Sequence, residues 1–161
     1  MTSDGTPAAA PSHVAIVAAH GELAAGLVSA VAQITGRGEL LVPLSNTGCS
    51  PVEIEQRMRA AAAESGVRAV FTDLPAGSCT IAARRLLRDR PDLVLVTGVN
   101  LATLVDFVCR VQVDAGDGVG DAAGAVRTVL EAATERGRTA LGVVAVPAAA
   151  PGASHGASHA R

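Results

Sequence analysis

The sequence predicts an open, doubly wound α/β domain on a mainly parallel sheet. Two observations predict it. Apolar runs of strand length alternate four times with stretches of helical periodicity. The runs are near-continuously apolar rather than alternating, which strands buried on both faces require. At 161 residues and 49% hydrophobic, the chain has the length of one ordinary domain and enough apolar material for a core.

The elements follow in order. Residues 14–18 form the first apolar run, ended by Ala19-His20-Gly21. Leu23, Leu27, Val31 and Ile34 then recur at helical spacing over residues 22–35, with Gly36 as the stop. Residues 40–44 are a second strand. Ser50-Pro51-Val52-Glu53 is a capping box with proline at the first helical position, opening a helix to about residue 65. Residues 68–72 are the third strand, ending at Asp73, and residues 79–89 the next helix. Residues 93–96 are the fourth strand, and Asn100 caps a helix to about residue 110. Residues 114–121 are an acidic, Gly-rich loop without the closing Glu of a calcium loop. A last helix covers residues 122–136, with Gly137 as a break, and residues 140–146 read as an edge strand.

The folded part is therefore residues 13–146. Residues 1–12 are expected to be a disordered leader. Residues 147–161, with their Gly-Ala-Ser-His repeat, are expected to be a disordered tail in which His155 and His159 belong to the repeat and not to a metal site. The whole is flavodoxin-like, with strand order 2-1-3-4.

Composition removes several functions. There is no Trp, no Tyr and only 2 Phe, so bases find no aromatic platforms. A net charge of −2, with 13 basic residues, all Arg, is no footprint for nucleic acid. Gly and charges interrupt every apolar run short of a membrane span, and the N-terminus lacks the pattern of a signal peptide. Cys49, Cys79 and Cys109 are an odd, widely spaced set without a C-x-x-C pair. They read as free thiols of a cytoplasmic protein, with neither disulfides nor a metal site, and no cofactor is expected.

In doubly wound sheets ligands bind beyond the carboxyl ends of the strands, where the winding reverses. Polar clusters fall there after the first, third and fourth strands: Ala19-His20-Gly21, Thr72-Asp73-Leu74 and Thr97-Gly98-Val99-Asn100. Order 2-1-3-4 sets His20 and Asp73 on one crevice. A carboxylate accepting one ring N–H leaves the other imidazole nitrogen as a free lone pair. Gly21 and Gly77-Ser78 each open a helix, and two helix N-termini suit a phosphoryl group.

Three motifs in this order, His20-Gly21-Glu22-Leu23-Ala24-x-Gly26, Thr72-Asp73-Leu74-x-x-Gly77-Ser78 and Val96-Thr97-Gly98-Val99-Asn100-Leu101-x-x-Leu104, resemble the IIA component of the mannose-family sugar phosphotransferase system. The resemblance spans about residues 14–144. It implies that His20 is phosphorylated, that Asp73 is its hydrogen-bond partner and that Gly77-Ser78 gives donors to the phosphoryl oxygens. It also implies a homodimer, in which the edge strand is exchanged between subunits. A histidine-containing phosphocarrier protein would be the donor and a IIB component the acceptor. The family's usual Gly-Gly-Ser-Pro-Phe-Asn is here Ala76-Gly77-Ser78-Cys79-Thr80-Ile81, so the partner-facing surface is altered.

Two other readings stay open from the residues. Cys79 at a helix start, with His20 as base, would make a thiol-dependent enzyme. A regulatory binding module would keep the fold with His20 unmodified. Arg84, Arg85, Arg88 and Arg90 form a solvated face or an electrostatic guide for a partner protein.

Overall fold

The structure, a computed structural model, describes residues 13–64, 66–112 and 122–144. The expected leader, the acidic loop 114–121, the tail and residues 145–146 lie outside the described residues.

Four parallel strands, β1 (Ala15–Ala19), β2 (Leu41–Ser45), β3 (Ala69–Thr72) and β4 (Val94–Thr97), lie in the order β2-β1-β3-β4. The helices between them are α1 (Leu23–Thr35), α2 (Pro51–Glu64), α3 (Ser78–Asp89) and α4 (Leu101–Arg110), followed by α5 (Ala122–Thr139). The fold is the doubly wound, flavodoxin-like one that the alternation of elements predicts.

The sheet separates two cores. In β1, Ala15, Val17 and Ala19 point to one side, with Val31 of α1, Leu104 and Phe107 of α4 and Leu130 of α5. Ile16 and Ala18 point to the other, with Ile54 and Met58 of α2 and Ala82 and Leu86 of α3. All five residues of β1 are buried, which is why its sequence cannot alternate. Phe71 and Phe107, the only aromatic side chains, meet edge to face at 5.2 Å between centroids. Pro43 sits on the edge strand β2, where a missing N–H costs no ladder bond.

The capping box is formed: Ser50 N–H donates to Glu53 at 2.7 Å, and Glu53 N–H to Ser50 Oγ at 3.3 Å. Asn100 caps α4 by accepting from Thr103 N–H at 2.9 Å. Two expectations are corrected. Gly137 does not break the last helix: α5 continues through it to Thr139. A Cβ there would come within 1.8 Å of Thr103 Oγ1, so this glycine serves the close approach of α4 to α5. Of the strand expected over residues 140–146, the described part, residues 140–144, is not in a strand. Residue 140 is in a turn, and residues 141–144 are outside any strand, with Leu141, Val143 and Val144 exposed.

Candidate functional site

The winding reverses between β1 and β3, because the chain passes from β1 outward to β2 and returns across β1 to β3. His20 is the first residue beyond β1 and Asp73 the first beyond β3. The topology therefore brings together two residues 53 positions apart in sequence.

One carboxylate oxygen of Asp73 accepts twice from His20: from the backbone N–H at 3.0 Å and from ring Nδ1 at 2.7 Å. Burial alone would push the Asp73 carboxyl up; the His20 backbone N–H, ring and charge outweigh it and hold the group below its ordinary value. An ionised carboxylate only accepts, so in the neutral imidazole Nδ1 carries the hydrogen and Nε2 has the lone pair. The His20 side chain is 52% exposed and that of Asp73 9%. The orienting group is sheltered while about half of the imidazole side chain is open to solvent.

Gly77 lies beside the ring: a Cβ on it would stand 3.8 Å from His20 Cε1. Its φ of 146° is a conformation that side-chain-bearing residues rarely adopt. It is the N-cap of α3, and the first N–H groups of a helix have no intrahelical acceptors. Gly21, at φ 55°, turns the chain from β1 into α1 directly after His20. His20, Gly21, Asp73, Gly77 and Ser78 thus lie at one end of the sheet.

The loop between Asp73 and Gly77 is held by a hydroxyl clamp. Thr80 Oγ1 donates to the carbonyl of Leu74 at 2.6 Å, and the hydroxyls of Thr72 and Thr80 meet at 2.7 Å. Both threonines are buried. Sequence reasoning missed this clamp, and it missed Asn46, whose Nδ2 donates to Ser78 Oγ at 3.3 Å from the end of β2. The placement of Ser45-Asn46 at a strand's carboxyl end was the available signal.

The third cluster, Thr97 to Asn100, contributes differently. Val99 N–H donates to the Thr72 carbonyl at 3.0 Å, bracing β3 just before Asp73, and Asn100 is spent on Thr103 and the Gly137 carbonyl. Cys79 is buried in the core between α2 and α3. Burial first, and the Asp73 charge second, push its thiol up, so the helix start does not favour a thiolate there. Of the arginine cluster, Arg85 pairs with Glu55 and Arg90 with Asp92, while Arg84 and Arg88 form no ion pair among the described residues. No group of three or more His, Cys, Asp or Glu able to hold a metal occurs among the described residues.

The sequence pattern of the family described as PTS system fructose IIA component matches residues 14–123, most of the chain. This chain belongs to that family. Its fold recurs in solved phosphotransferase-system proteins. The mannose/sorbose specific IIA subunit from Enterococcus faecalis superposes with a TM-score of 0.66 at 18% identity, covering 86% of this chain and 99% of that one. The IIA protein associated with the fucose utilization operon of Streptococcus pneumoniae gives 0.60 at 21%, covering 84% and 96%. The component EIIA of Streptococcus agalactiae gives 0.58 at 23%, covering 74% and 92%. Curated protein sequences yield no match. Among the described residues of this IIA component, no helix is long and apolar enough to cross a membrane.

Proposed function

We propose that this IIA component accepts a phosphoryl group on His20 Nε2 from a histidine-containing phosphocarrier protein in the cytoplasm and passes it to a IIB component. The observation that carries the reading is the doubly accepting Asp73 oxygen, which selects the tautomer with its hydrogen on Nδ1 and leaves Nε2 of the half-exposed ring free to act as nucleophile. In each transfer one P–N bond breaks and another forms, so in-line approach and charge stabilisation matter more than acid–base work. As Nε2 takes the phosphoryl group the ring gains positive character, which Asp73 offsets. Gly21, Gly77 and Ser78 present backbone N–H groups, and Ser78 a hydroxyl, to the phosphoryl oxygens. Exposed Leu23, Leu74 and Ile81 on the same elements give the partners an apolar landing surface.

We assign the active unit as a homodimer. The outer edge of β4 pairs with no strand among the described residues, and exposed Leu141, Val143 and Val144 extend beyond α5. An exchanged strand would cover both.

Incubation with phosphoenolpyruvate, enzyme I and the phosphocarrier, followed by mass spectrometry, tests the chemistry. One acid-labile, alkali-stable phosphoryl group per chain is expected on His20. His20→Ala should lose it and stay folded, because the side chain is half exposed. Labelling that persists in His20→Ala would remove the assignment.

A further inference from the structure

We propose that Asn46 is a positioning residue that directs the Ser78 hydroxyl hydrogen toward the transferring phosphoryl group. This rests on His20 being the phosphoryl acceptor.

Asn46 is the first residue beyond β2, the strand beside β1. Its N–H donates to the Ala19 carbonyl at 3.2 Å, and its own carbonyl accepts from Cys49 N–H at 3.1 Å. The first bond ties Asn46 to the residue preceding His20, and the second closes the turn that follows. From this anchored backbone, Nδ2 donates to Ser78 Oγ at 3.3 Å. A hydroxyl has one hydrogen and two lone pairs. Because the amide occupies a lone pair, the hydrogen remains for another acceptor. The neighbouring Cys79 stays a protonated thiol, a poor competitor for it beside phosphoryl oxygens. A carboxylate at position 46 would act the opposite way, taking the hydrogen and setting a negative charge beside an incoming anion.

The test is single-turnover phosphorylation of the full chain by the phosphorylated phosphocarrier, across its concentration range. Asn46→Ala should slow the saturated rate about three- to tenfold, the worth of one hydrogen bond. The half-saturating phosphocarrier concentration should not move. Asn46→Asp, nearly isosteric, should be slower than Asn46→Ala. In a Ser78→Ala background, Asn46→Ala should have no further effect, a coupling that a merely structural role would not produce. Equal slowing by Asn46→Ala with and without Ser78, or an Asn46→Asp variant as fast as wild type, overturns the proposal while leaving His20 phosphorylation standing. A wild-type chain that takes no label on His20 overturns both.

Discussion

The Asp73 carboxylate does its work through a single oxygen that holds both the backbone and the ring of His20. Asp73→Asn keeps the shape but removes the negative partner and admits the other tautomer. A charge-assisted hydrogen bond is worth about 1.5–3 kcal/mol, so transfer from the phosphocarrier should slow by roughly ten- to 150-fold. Cys79→Ser should change the rate little, since the thiol is buried and protonated. Phosphotransfer by the two variants separates phosphocarrier from thiol enzyme: a dead Cys79→Ser beside a normal Asp73→Asn would put the wrong chemistry in this crevice. The same Asp73 variant has a pH signature. Because the folded carboxyl lies below its ordinary value of 3.8, its stabilising contribution is complete above the unfolded-state value. It is lost as pH falls through the lower folded value. Urea midpoints of wild type and Asp73→Asn should therefore differ at pH 6 and converge in acid, once the pH has fallen through the lowered folded value.

Two helical glycines separate what an element prefers from what its neighbours allow. In isolation Gly costs a helix about 0.8–1 kcal/mol against Ala. Gly26 in α1 is exposed, and a Cβ there would meet nothing within 4 Å. Gly26→Ala should accordingly stabilise by roughly 0.4–1 kcal/mol. Gly137 in α5 has no such room: the Cβ would meet Thr103 Oγ1 at 1.8 Å and Asn100 Oδ1 at 3.0 Å. Thr103 is buried and bonded to Asn100, and Asn100 Nδ2 in turn donates to the Gly137 carbonyl at 2.9 Å. Overpacking costs typically ~1–3 kcal/mol, which outweighs the propensity gain. Gly137→Ala should lower the melting temperature where Gly26→Ala raises it, and thermal unfolding of both variants checks the opposed signs. A Gly137→Ala chain as stable as Gly26→Ala would mean that α4 and α5 are not packed this closely.

At the scale of the whole molecule, the described residues of one chain leave an unpaired outer edge on β4 and exposed apolar side chains in the segment beyond α5. Val94, Leu95 and Val96 are half-buried, and they line a shallow cleft of about 300 Å³ with Leu130 of α5. An unpaired, apolar strand edge is a template for another strand. Sedimentation should show a homodimer at micromolar concentration, and removal of residues 140–161 should give a monomer with the four-stranded sheet intact. A wild-type chain that sediments as a monomer would sink this. The sequence shows the four strand–helix units, their parallel sheet, the strand ends at His20 and Asp73 and the helix start at Gly77-Ser78. Those follow from periodicity, caps and punctuation, which act between residues close along the chain. It also made Cys79 look like a candidate thiolate and Gly137 like a helix end. The packed fold overrides both, because burial and the approach of α4 depend on residues remote in sequence. The same holds for the Thr72–Thr80 clamp and for Asn46, a polar residue after an edge strand that reads as a turn until α3 is folded against it. A hydrogen bond between positions 32 apart leaves no periodic trace in a single sequence, so the strand-end placement marks Asn46 as a candidate and only the packing of α3 supplies its partner.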